Sequence, residues 1–321
     1  MAWPLLAAFA MAALVTCLAT PAVIRLAFRA DALDQPGARR VHEKPTPTWG
    51  GLAIIFGFLL SLGLCRLLFP APFSTLGAST LPALIAGILL IGGMGALDDR
   101  FHLRAKVKLV WQILAAVVLV SGGIAVYGIS NPFRSGATVV VPLLLAAPLT
   151  VLWIVAVTNA INLIDGLDGL AAGVAAIACA TLSLIAAGRN QPGVALLAAA
   201  LSGAAAGFLP WNFNPARIFM GDLGAYFLGY VIGAITVMGA FKMAASIAIF
   251  VPLLVLAVPL LDTGLSALRR YRSGQPIFRA DRDHLHHQLL ALGLSQRQIV
   301  LLMYSITFIC CAIVLWMTRS S

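Results

Sequence analysis

The chain reads as a series of apolar runs of about 17 to 24 residues separated by short polar connections. A helix needs about 20 such residues to cross the roughly 30 Å hydrocarbon layer of a bilayer, at about 1.5 Å per residue. The pattern predicts an all-α, polytopic integral membrane protein. Its spans fall at about 4–24, 51–69, 81–97, 107–126, 139–157, 170–188, 193–209, 223–240, 244–263 and 298–317. Ten is the expected number and eleven the alternative, an odd count moving one terminus across the membrane. The first run, from Pro4 to about Ile24, has no basic region before it and is longer than the usual apolar core of a signal peptide, so it is read as a span. Residues 1–321 are read as one transmembrane domain, with a long cytoplasmic loop at 264–297.

Composition agrees with this. Hydrophobic residues make up 61% of the chain and charged ones 10%, against roughly 25% charged in a soluble domain. The five cysteines, Cys17, Cys65, Cys179, Cys310 and Cys311, lie in or beside apolar runs without metal-ligand spacing and are read as small hydrophobes. A net charge of +10 would suit nucleic acid, but no soluble basic domain exists to bind it, and topology explains the sign instead. Of the 21 basic residues, 16 fall in the alternate connections 25–50, 98–108, 158–169, 210–222 and 264–297, which marks those as cytoplasmic.

The acids sharpen the picture, because they have little topological reason to segregate. All eleven, from Asp31 to Asp283, fall in that same set of connections or on the last helical turn entering it, as do all five histidines. A transporter with a midplane site should carry an ionisable group deep within a span; none is evident. The chemistry is expected at the cytoplasmic membrane surface.

Asp98 and Asp99 end the third span just before Arg100, His102, Arg104, Lys106 and Lys108. Adjacent carboxylates near low dielectric need compensation, either from those cations or from a hard metal ion such as magnesium, which takes one or two carboxylates together with phosphate oxygens. The segment Asn159 to Leu170, with Asn162, Asp165-Gly166 and Asp168-Gly169, places Asn159, Asn162 and Asp165 along one side if it is helical. Asp222 opens the eighth span, where a carboxylate is either a helix cap or a ligand. Asn212 and Asn214 in the preceding connection offer uncharged hydrogen bonds to a base or sugar.

Asp262 ends the ninth span. The loop after it carries Arg269-Arg270-Tyr271-Arg272, Arg279, Arg282, Asp283, His284, His286 and His287. Arginines among the histidines oppose zinc and favour a clamp on a pyrophosphate, which arginine grips bidentately. In the first loop, Pro45 and Pro47 stiffen the approach to Gly50-Gly51, so that Lys44 can be held against a phosphate.

Together these motifs resemble the polyprenyl-phosphate N-acetylhexosamine-1-phosphate transferases, glycosyltransferase family 4. The resemblance runs from about Arg39 to His287 plus the final span, through Lys44 with Pro45 to Gly51, Asp98-Asp99, Asn159 to Gly169, Phe219 to Asp222, and His284 to His287, in the family's order. It implies that the single domain is catalytic. The implied reaction moves a sugar 1-phosphate from a UDP-N-acetylhexosamine to undecaprenyl or another polyprenyl phosphate, with release of UMP and a requirement for magnesium, manganese being the alternative ion. It further implies Asp222 as a metal ligand and Asp98, Asp99 and Asp165 around the catalytic centre and its metal. His284, His286 and His287 would complete the centre at the carbohydrate end. Lys44, Arg279 and Arg282 would meet phosphate, and Asn159, Asn162, Asp168, Asn212 and Phe219 would bind substrate, the last three near the uridine.

The loop Asp281 to His287 resembles the UDP-N-acetylglucosamine type rather than the pentapeptide-handling translocase, which carries three consecutive histidines. UDP-N-acetylfucosamine and N-acetylquinovosamine are the alternative donors. The implied place is the bacterial inner membrane among its lipids, with the site facing the cytoplasm and a homodimer one compatible assembly. A CDP-alcohol phosphotransferase follows Asp-Gly with Ala-Arg and closely spaced aspartates, whereas here Leu167-Asp168 follows. The glycine-rich spans, which would suit a transporter, are equally expected wherever helices pack closely.

Overall fold

The computed structural model describes residues 2–35, 45–130, 138–240, 256–257, 260–261, 264–265, 272 and 289–319. Among these, ten helices carry the architecture: α1 (Ala2–Arg29), α2 (Gly50–Leu68), the short α3 (Pro70–Phe73), α4 (Thr80–Phe101), α5 (Ala105–Ser121), α6 (Leu143–Ile164), α7 (Leu170–Gly188), α8 (Pro192–Asn212), α9 (Gly221–Ala240) and α10 (Gln296–Arg319). Two small antiparallel ribbons join them, β1 (Leu33–Asp34) with β2 (Thr46–Pro47) and β3 (Gly128–Ser130) with β4 (Thr138–Val140). Among the described residues, eight helices are long and apolar enough to cross a membrane, all of these except α3 and α5. The 17 residues of α5 extend about 25 Å. Since α4 and α6 both finish at the same end of the bundle, α5 is the return crossing between them. The expected span at 244–263 lies almost wholly outside the described residues.

Centrality follows from how much of each helix is covered by its neighbours. Helices α8 and α9 are buried nearly all round, while α1, α10 and the outer side of α5 show leucine, isoleucine and phenylalanine outward, the distribution expected where lipid is the solvent. Small residues let the inner helices approach. A Cβ on Gly51 of α2 would run into the backbone of Gly224 on α9, so the two helices cross almost backbone to backbone there.

Each end of the bundle has its own ties. At one, Ser79 donates to the Gly122 carbonyl, the Gly193 amide to Thr75 Oγ1, Gln191 to Gly239 and Arg189 to Thr318. At the other lie Asp31, Asp34, Asp98, Asp99, Asp165, Asp168 and Asp222 with the basic connections, so the positive-inside bias makes that end cytoplasmic.

Helix boundaries move in one informative place. The fifth span, expected to stop at about 157, runs as α6 from Leu143 to Ile164. Asn159 and Asn162 do not end it, because each side chain finds a partner on a neighbouring helix, Asn159 adding a bond back to the Val155 carbonyl one turn earlier that is compatible with helix. The cytoplasmic end of α6 thus sits seven residues further along the chain than the polarity pattern suggests.

Candidate active site

The site is assembled from the cytoplasmic ends of α4, α5, α6 and α9 and the turn between α6 and α7. Residues adjacent in a helix point about 100° apart, and this separates the carboxylates of Asp98 and Asp99. Asp98 is 1% exposed and turns toward α5. It forms an ion pair with Lys108 at 2.5 Å and accepts the Leu103 amide at 2.9 Å and the Tyr226 hydroxyl at 3.3 Å. The cation that balances the acidic pair is therefore Lys108, one helix further on; Arg100 is exposed and lies over the ring of Phe101.

Asp99 faces the start of α9, accepting the Asp222 amide at 2.7 Å and the Leu223 amide at 3.3 Å. It caps α9 from another helix, meeting the unpaired amides and the positive end of the helix dipole. The close approach depends on Gly221, whose φ of 74° is left-handed and where a Cβ would strike the Asp99 carboxylate.

Asp222, relieved of capping, is half-buried. Its Oδ1 accepts from Asn162 at 2.7 Å, and its Oδ2 lies 3.5 Å from Lys108 Nζ. Asp165 follows the last residue of α6 and is also half-buried. Burial raises its carboxyl well above the ordinary carboxylate range, and Asp222, then Asp99 and Asp168, add repulsion of like charge.

The remaining expected residues divide by what their polar atoms already hold. Asn159 is committed to α5: its Nδ2 donates to Gln112 Oε1 at 2.7 Å, and Gln112 Nε2 donates to its Oδ1 at 3.3 Å. Asn212 is buried and spent on backbone, accepting the Gly169 amide and donating to the Ile218 carbonyl. Asp168 accepts from Asn214 Nδ2 and the Ala216 amide, both at 3.0 Å. Phe219 is held by its backbone, donating to Pro47 and accepting from Gly50 at 3.0 Å, while the Gly51 amide reaches Met220 at 2.9 Å. Lys44, Arg279, Arg282, His284, His286 and His287 lie outside the described residues.

Two participants were missed by sequence reading. Lys108 was one basic residue among several in its connection, and Gln112 was an isolated amide in an apolar run. Their spacing of four residues, one helical turn, was the available signal.

Among the described residues no three His, Cys, Asp or Glu side chains form a metal cage. The donor set nevertheless fits magnesium, which usually keeps several waters and takes one or two carboxylates together with substrate phosphates. Asp98 is fully buried against Lys108, and Asp99 is taken up by the α9 amides. Asp165 and Asp222, half-buried and within electrostatic reach of each other, are left to hold it; Asp222 already accepts Asn162 on Oδ1 and has Lys108 at 3.5 Å from Oδ2, so it would bind the ion through the lone pairs those contacts leave.

The description Glycosyl transferase family 4 matches residues 81–240, a stretch that contains Asp98, Asp99, Asp165 and Asp222. The chain is 40% identical over 305 residues to a probable undecaprenyl-phosphate N-acetylglucosaminyl 1-phosphate transferase of Bacillus subtilis, covering 94% of this chain and 82% of that one. It is 37% identical to a decaprenyl-phosphate N-acetylglucosaminephosphotransferase of Mycobacterium leprae, covering 91% and 78%. It is 28% identical to an undecaprenyl-phosphate alpha-N-acetylglucosaminyl 1-phosphate transferase of Salmonella typhi, covering 85% and 73%. With four carboxylates from two helices and a turn gathered at the cytoplasmic end of a membrane bundle, and with relatives of this likeness along nearly its whole length, the chain belongs to glycosyl transferase family 4.

Proposed function

We propose that this protein transfers an N-acetylhexosamine 1-phosphate, N-acetylglucosamine 1-phosphate foremost, from its UDP-sugar to undecaprenyl or another polyprenyl phosphate and releases UMP. The observation that carries the reading is the meeting of Asp98, Asp99, Asp165 and Asp222, from distant parts of the chain, with Lys108 between Asp98 and Asp222. The relatives named for N-acetylglucosamine phosphate transfer support the choice of sugar.

An oxygen of the lipid phosphate attacks the β-phosphorus of the UDP-sugar. A new P–O bond forms, the bond to the UMP oxygen breaks, and UMP leaves with the electron pair. A phosphate monoester has its second pKa near 6, so at neutral pH the nucleophile is mostly charged and needs no strong base. Asp98 then holds and orients Lys108, and Asp99 fixes the start of α9 so that Asp222 is presented at the site. Magnesium bound by Asp165 and Asp222 would offset the pyrophosphate charge and the charge developing on the leaving UMP. Lys44, Arg279, Arg282, His284, His286 and His287 are assigned to the phosphates, and Asp168, Asn212 and Phe219 to the neighbourhood of the uridine; of these three, Asn212 acts by shaping the loop, since its amide is already spent.

Purified protein given magnesium, undecaprenyl phosphate and a panel of UDP-N-acetylhexosamines should form UMP, most rapidly with UDP-N-acetylglucosamine. Absence of UMP with every donor, or CMP release from a CDP-alcohol instead, would overturn the reading.

A further inference from the structure

Gln112 is 2% exposed in the apolar middle of α5. Its carboxamide forms a reciprocal pair with that of Asn159 on α6, and Asn159 Nδ2 also reaches the Val155 carbonyl at 2.8 Å. One turn toward the cytoplasm on each helix stand Lys108 and Asn162, the two side chains that hold Asp222, at 3.5 Å and 2.7 Å. Helices α5 and α6 run antiparallel and pack together, so the two levels stack. The inner one joins α5 to α6 directly, and the outer one closes on a carboxylate of α9.

We infer that the Gln112–Asn159 pair is a positioning device that sets the spacing of α5 and α6, and so holds Lys108 and Asn162 at the separation at which both engage Asp222. Two facing carboxamides satisfy each other only over a narrow range of backbone separation, since donor and acceptor must both lie near 3 Å. In an apolar layer an amide without its partner keeps its full desolvation penalty, so the pair resists separation where leucine contacts would slide. Asp222 has the Lys108 ammonium near one oxygen and the Asn162 amide on the other. Spreading α5 from α6 releases one of them, while the nucleotide-proximal turn at Asp168 and Asn212, held by α8 and α10, stays in place. The pair therefore acts on catalysis through Lys108 and Asn162, and Asn159 is a positioning residue rather than a group that touches substrate.

The inference rests on the transferase reading, and the test separates the two. With purified full-length protein, UMP release is measured for wild type, Gln112→Leu, Gln112→Asn, Asn159→Gln and the double exchange Gln112→Asn/Asn159→Gln. The single variants should lose about 10-fold or more in kcat, in line with the cost of small misplacements at a reacting centre. KM for the UDP-sugar should remain within about twofold, and the exchange, which keeps the summed length of the pair, should recover most of the rate. Thermal denaturation of each variant in the same detergent is recorded alongside. If the wild type turns over but Gln112→Leu matches its kcat, if KM rises in step with any loss, or if the exchange is no better than the singles, the pair is not a positioning device. A wild type without turnover instead removes the transferase reading itself.

Discussion

Lys108 sits between two carboxylates that sequence proximity would assign to other cations. Its Nζ pairs with Asp98 Oδ2, which also accepts the Tyr226 hydroxyl, while Oδ1 accepts the Leu103 amide. Removing the amine leaves a buried negative charge uncompensated, which costs about 3–5 kcal/mol where a buried pair is broken. Lys108→Met is therefore expected to lower both the melting temperature and UMP formation, and Lys108→Met with Asp98→Asn should restore stability without restoring rate; melting curves beside turnover measurements check this. Asp222→Asn keeps the hydrogen bond to Asn162 but removes the charge, and should abolish sugar-phosphate transfer while leaving the fold intact. Asp165 brings a pH dependence. Its raised folded-state value means that folding prefers the protonated carboxyl. Its contribution is thus present below the ordinary carboxylate range near 4 and is lost as pH rises through the raised value. Without divalent cation the melting temperature should fall across that window. Magnesium should restore it, more at high pH than at low, and Asp165→Asn should flatten both effects. A magnesium shift of equal size at all pH values would contradict this role.

Among the elements, α9 is where local rules and long-range packing meet. Sequence alone leaves Asp222 as either cap or ligand, because an acid in the first turn suits both. The bundle decides by bringing Asp99 of α4 onto the α9 amides, and Gly221 makes room for it. Gly221→Ala combines left-handed strain of about 1–2 kcal/mol with a clash against that carboxylate. It should destabilise the protein and reduce turnover, whereas Asp99→Ala should lose about 1 kcal/mol for the cap together with activity. Melting and UMP assays on the two variants test the shared origin. The same logic holds for α6, whose asparagines fall beyond the end of the span expected from the sequence but serve as cross-links to α5 and α9.

For the whole molecule, one prediction concerns sidedness. Ser74, exposed after α3, and His102, exposed after α4, lie at opposite ends of the bundle. On a background with the native cysteines replaced, Ser74→Cys should react with an impermeant maleimide in intact cells, and His102→Cys only in inverted vesicles. Labelling of both from the same side would break the topology. Much of the fold was legible because the hydrophobic spacing of a membrane helix is set by bilayer thickness, so nine of the ten expected spans coincide with helices and the tenth falls almost wholly outside the described residues. Much of the site was legible too, because charges in an otherwise apolar chain have few places to be.

By itself, the order of residues determined the helical membrane class, the cytoplasmic gathering of acids, and the candidate set Asp98, Asp99, Asp165 and Asp222. Which carboxylates share Lys108 and which one caps α9 was decided only by tertiary structure. Neighbours in sequence diverge around a helix, whereas Lys108, Asn162 and the amides of α9 reach their partners across gaps of 10, 60 and 123 residues. Such pairings follow from how the helices pack, and no local pattern encodes them.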